Sequence, residues 1–101
     1  MTPNWPGDKE LIRLICSKKK AEREKAATYL ANCFSDIVQA LVAKRNQGYP
    51  IEAGIVLDDS VMALMYAVRI GNYRISDGPL EKYFLGIVKN RIKAAVRKER
   101  K

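Results

Sequence analysis

The residues best suited to chemistry lie toward the C-terminal end of the sequence. At 100° per residue, Lys82, Gly86, Lys89, Asn90, Lys93, Arg97 and Arg100 fall within an arc of roughly 100° on one helix. Five of the seven are cationic and none is acidic, so the stripe suits a phosphate backbone, and Asn90 adds an amide that matches a base edge. An ordinary solvated face would interleave acidic partners. Just upstream, Tyr73, Arg74, Ser76 and Asp77, with Tyr83 following, combine rings and hydrogen-bonding groups in the way that holds unstacked bases. The same composition also suits a turn with surface tyrosines.

Catalytic constellations are unpersuasive. Asp58 and Asp59 are adjacent at an expected helix start, where capping explains them better than acid/base or metal work. Ser60 has no histidine to activate it, because the chain contains none, and no glycine-rich loop ends in the Lys-Ser/Thr pair of a phosphate cradle. Cys16 and Cys33 lie in apolar helical surroundings and read as small core residues of a protein kept in a reducing cytosol. No metal, cofactor or enzymatic activity is therefore expected, and the location is expected to be cytoplasmic.

Four helices must position these residues. Asp8 can cap a short first helix carrying Leu11, Ile12, Leu14 and Ile15, which Lys18-Lys19-Lys20 interrupts. From Ala21 to near Asn46 a long second helix keeps Ala27, Leu30, Phe34, Ile37, Val38, Leu41 and Val42 on one face. Gln47-Gly48-Tyr49-Pro50, extended by Gly54, predicts a loop running to about Leu57. Asp58 or Asp59 then caps a third helix with Val61, Leu64, Met65 and Val68 on one side, and Gly71 ends it. Pro79 suits the first turn of the fourth helix, which runs toward Arg100 with Leu80, Phe84, Ile87, Val88, Ile92 and Ala95 opposite the basic stripe.

The 101 residues fit one all-α domain, a compact bundle of about four helices, and their 48% hydrophobic content supports one modest core. Residues 1–7 read as a tail. No segment approaches the roughly 20 apolar residues of a membrane span, and the N-terminus lacks the features of a signal peptide. The net charge of +8 attracts polyanions, and its distribution is uneven. From Pro79 to Lys101 there are eight basic residues against two acidic ones, a net of +6, and the preceding residues net only +2.

Leu80-Glu81-Lys82-Tyr83-Phe84-Leu85-Gly86-Ile87-Val88-Lys89-Asn90-Arg91, followed by Arg97-Lys98, resembles the Phe-x-x-Trp-Leu-x-x-Ile-x-x-Asn…Arg-Lys pattern of region two in sigma factors of the extracytoplasmic-function type, subunits of bacterial RNA polymerase. Asp58-Asp59-Ser60-Val61 to Val68 resembles the Asp-x-Val helix upstream of that pattern, and the likeness extends over about Lys9 to Lys101. The resemblance implies a bundle whose third helix, through Asp58, Asp59, Met62, Ala63 and Tyr66, docks on the clamp helices of the polymerase large subunit. It implies further that the fourth helix engages the minus-ten promoter element, with Asn90 and Arg97 facing DNA and the Arg74 to Gly78 loop receiving a flipped base. An anti-sigma protein is a further implied partner. Tyr83 stands where the family has tryptophan, Met62-Ala63 replaces a Gln-Glu or Gln-Asp pair, and Ala94 replaces an acidic residue. The family continues into a helix-turn-helix domain, so residues 97–101 read as the start of a linker. Two other readings stand beside this one: a protein-interaction domain for an anti-sigma partner, and a generic basic helical DNA-binding module.

Overall fold

The computed structural model describes residues 6–100. It comprises α1 (Asp8–Ile15), α2 (Lys20–Arg45), α3 (Ala53–Arg69), a single 3₁₀ turn (Ile75–Asp77) and α4 (Leu80–Glu99), enclosed within 40 × 28 × 25 Å. Of the tail, residues 1–5 lie outside the described residues.

The core is built from ladders of residues four apart. Ala26, Leu30, Phe34, Val38 and Val42 are buried on α2, and Leu80, Phe84, Val88, Ile92 and Val96 on α4. On α3 the ladder is Val56, Ser60, Leu64 and Val68, with Val61 and Ala67 beside it. Rows of residues four apart form the ridges by which helices interlock. Helix α3 packs most extensively on α2 and α4, and Phe34 meets Phe84 with ring centroids 4.6 Å apart where α2 and α4 touch. Leu11, Leu14 and Ile15 bring α1 onto the same core. The expected stripes are close to these: Val96 joins the core in place of Ala95, which is half-buried, and Ile37 is 38% exposed.

Three junctions differ from the sequence expectation. The loop expected to reach Leu57 ends at Glu52, because Ala53 to Leu57 carries the amphipathic pattern that seats Val56 in the core, and one glycine in the first turn of a helix does not outweigh that burial. Asp58 and Asp59 consequently do not cap α3. They stand in its second turn, exposed to solvent. Asp8 does not cap its own helix either: Gly7 takes that place, and the Asp8 carboxylate accepts a 3.0 Å hydrogen bond from the Leu80 amide at the start of α4. Cys16, expected in the core, is exposed at the end of α1, where the helix has already turned its apolar face away, while Cys33 is half-buried against the core.

Gly71 closes α3 as expected, with φ of +83°, a conformation glycine adopts without strain. Pro79 immediately precedes α4, and its carbonyl accepts the Tyr83 amide. Arg97, Lys98 and Glu99, read from the sequence as the start of a linker, are helical.

Candidate nucleic-acid interface

The C-terminal half of α4 lies beside the C-terminal turn of α2, and between them runs an open groove of about 750 Å³. Its α4 side is formed by Gly86, Lys89, Asn90, Lys93, Arg97 and Arg100, which includes every predicted stripe residue except Lys82. Its α2 side adds Lys44, Arg45 and Gln47. Six cations therefore share one groove with two side-chain amides and no carboxylate. Among the described residues none of the six has an ion-pair partner, since the ion pairs fall on α1 and the first turns of α2. The floor is Ile92 and Val96, whose burial in the core fixes the direction in which their neighbours project.

The other side of α4 has a different character. Arg91, Lys98 and Glu99 line a second groove with Glu52, Asp59 and Ile55, so charges of both signs meet there. The uneven charge seen in the sequence thus resolves into a purely basic groove toward α2 and a mixed one toward the N-terminal end of α3.

The loop before α4 is ordered by its own hydrogen bonds. The Arg74 amide donates to the Asp77 carboxylate at 2.9 Å, and the Asp77 amide donates back to the Arg74 carbonyl at 2.8 Å. Tyr73, expected to offer a ring for base stacking, is 2% exposed. Its hydroxyl donates to the Gly78 carbonyl at 2.6 Å and its ring lies 4.7 Å from that of Tyr83, which is half-buried. The physical reason is that a large ring beside a helix end removes more apolar surface from water inside than outside, once its hydroxyl has a partner. Burial, followed by the negative charges of Asp8 and Asp77, holds the Tyr73 phenol above its ordinary pKa. Tyr73 is a strut of the loop. Arg74, Ser76 and Asp77 remain exposed.

The predicted residues therefore separate into two sets along α4. Arg74, Ser76, Asp77, Lys82 and Tyr83 cluster at its N-terminal end, and Lys89, Asn90, Lys93, Arg97 and Arg100 line the groove further on. Lys82 and Lys89 are about 10 Å apart along the axis at 1.5 Å per residue. Sequence reasoning missed Lys44, Arg45 and Gln47. Only the pairing of α2 with α4 brings them to the stripe, and the basic pair ending α2 reads locally as ordinary helix-end charge.

A second surface lies on α3. Ile55 (58% exposed), Met62 (70%), Tyr66 (66%) and Ile70 (50%) recur at spacings of seven, four and four and present large apolar side chains to solvent, with the exposed Asp59 on the same face between Ile55 and Met62 and Asp58 beside it. Ala63, which the resemblance places in the docking face, is half-buried. None of these residues lines the basic groove.

No protein-family model, no curated protein and no solved structure matches the chain. Among the described residues, no helix is long and apolar enough to cross a membrane.

Proposed function

We propose that this domain is a transcription initiation factor module that docks on core RNA polymerase and holds the opened minus-ten element of a promoter. The observation that carries the reading is the pairing of a carboxylate-free groove of six cations on α2 and α4 with a separate, exposed apolar face on α3. A groove of that charge suits a phosphate backbone. A helix face with several large exposed apolar side chains suits a protein surface. The resemblance of Leu80 to Arg91, followed by Arg97-Lys98, and of Asp58-Asp59-Ser60-Val61 to Val68 to region two of sigma factors supports this choice of partners: promoter DNA for the groove and the loop before it, and the clamp helices of the polymerase large subunit for α3. The domain makes and breaks no covalent bond in this role. It stabilises the separated strand by phosphate contacts, with Arg74, Ser76 and Asp77 available to base edges at the N-terminal end of α4.

Co-purification with core RNA polymerase, or with its isolated clamp helices, at moderate salt tests the reading. Saturable binding is expected, and Met62→Glu should abolish most of it while leaving the melting temperature unchanged, because a charge enters an exposed apolar contact. Absence of binding by the folded domain overturns the polymerase assignment and moves the α3 face to another protein, an anti-sigma partner being the alternative that its apolar character favours.

A further inference from the structure

We propose that the groove between the C-terminal ends of α2 and α4 is a two-walled seat for one nucleic-acid backbone strand, in which Lys44 and Arg45 form the second wall and Gly86 marks where the strand comes against α4. The proposal rests on the nucleic-acid reading above and goes beyond it by assigning α2 a binding role and by naming a phosphodiester strand as the occupant.

Three observations converge. The first is electrostatic. Lys44 and Arg45 sit in the last turn of α2, where basic residues complement the helix dipole, and that alone would explain their presence. It does not explain why the fold places them in one groove with the four cations of α4 and no carboxylate. Like charges gathered this way repel and gain nothing for the isolated domain, whereas a polyanion laid between the walls reverses the sign of the interaction.

The second observation is Gly86. It lies inside α4, is exposed, and a Cβ built on it would meet no atom within 4 Å, so the packing of the fold does not require glycine there. Glycine inside a helix is destabilising relative to alanine. A glycine that no internal contact demands, at the edge of a basic groove, is suited to the close approach of a ligand backbone. Gly54, the other helical glycine, also meets nothing but occupies the first turn of α3, where a helix tolerates irregularity more readily.

The third observation is the shape. From Gly86 to Arg100 the groove follows α4 for about 21 Å at 1.5 Å per residue, room for several successive phosphates. Gln47 bounds it at the end of α2 with φ of +55°, a left-handed conformation that a non-glycine residue adopts at a cost, and it adds a side-chain amide to the lining.

The test is fluorescence anisotropy of the full chain with a labelled mixed-sequence 12-nucleotide DNA strand, the corresponding duplex, and a poly-glutamate peptide of equal charge, across a series of salt concentrations. Three variants are compared: Lys44→Ala/Arg45→Ala, Gly86→Ala, and Lys89→Ala/Lys93→Ala. For the single strand, loss of two phosphate contacts should flatten the log–log salt slope by roughly 1.4 for either double variant. Gly86→Ala should weaken binding while raising the melting temperature by roughly 4–8 °C, a combination that a purely structural glycine would not produce. Binding of either DNA form with these changes supports the seat, and the tighter form identifies how the strand arrives. If Lys89→Ala/Lys93→Ala weakens binding and the other two variants bind like the wild type, the strand lies on the outer side of α4, so the two-walled seat fails and the nucleic-acid reading stands. If none of the three alters binding, or poly-glutamate binds as tightly as DNA, both readings fail.

Discussion

Ser60 occupies a position that its helix otherwise gives to Val56, Leu64 and Val68. Its side chain is fully buried, and its hydroxyl has no hydrogen-bond partner among the described residues. An unsatisfied buried hydroxyl costs on the order of 1–3 kcal/mol, and alanine also forms helix more readily than serine. Ser60→Ala is therefore expected to stabilise the domain by about 1 kcal/mol, read as a higher urea midpoint at an unchanged slope. A lower midpoint would mean that the hydroxyl has found a partner. Tyr73 is the opposite case, a buried hydroxyl that is satisfied. Tyr73→Phe removes its bond to the Gly78 carbonyl and should cost about 0.5–1.5 kcal/mol near neutral pH. The phenol's pKa is raised in the folded state, so the unfolded chain loses this proton first, from about pH 10 upward. Stability due to Tyr73 is thus complete below that pH and declines as pH rises toward the folded value. Phenylalanine carries no such proton, so the stability gap between wild type and Tyr73→Phe should narrow as the pH rises above about 10 in matched denaturant titrations. A constant gap would show that the ring does not titrate differently in the two states.

At the scale of elements, Asp8 is the residue through which the first helix holds the last. Its carboxylate caps the Leu80 amide across 72 positions of sequence, at the end of α4 where the helix dipole is positive. Asp8→Ala should cost about 0.5–2 kcal/mol and speed amide exchange in the first turn of α4 more than in α1. The reverse pattern would return Asp8 to the local capping role that the sequence suggests. This contact shows where sequence reading stops. Helix number, order and most apolar stripes were legible because the spacing of Leu30, Phe34 and Val38, or of Phe84, Val88 and Ile92, is a local property that packing then uses unchanged. The α4 side of the groove was legible for the same reason. The start of α3 was not, since Gly54 and Pro50 carry strong local signals and the burial of Val56 is tertiary. Nor were the cap on α4, the burial of Tyr73 or the α2 wall of the groove, because each depends on which elements become neighbours.

The whole molecule carries +8, and among the described residues its ion pairs gather at the junction of α1 and α2 and involve none of the cations of the groove. Arg13 joins Glu10 and Glu22, Ser17 donates to Glu22 at 2.6 Å, and Lys20 faces Glu24, all around the junction of α1 and α2. Hydrogen bonds from Arg13 and Ser17 hold the Glu10 and Glu22 carboxyls below their ordinary pKa values, but these groups keep contact with solvent at the surface, where ion pairs contribute little to stability. Repulsion among Lys44, Arg45, Lys89, Lys93, Arg97 and Arg100 should be the larger ionic effect on folding. Salt near 0.15 M shortens the screening length to about 8 Å and weakens that repulsion together with the pairs. The melting temperature of the free domain should therefore rise as salt increases from about 20 to about 200 mM, while its affinity for DNA falls over the same range. Lys44→Ala/Arg45→Ala should raise the melting temperature at low salt and flatten its increase, because it removes two of the repelling charges without touching the core. A melting temperature that falls with salt would instead place the dominant ionic effect in the α1–α2 pairs, and the groove would then impose no measurable cost on the folded state.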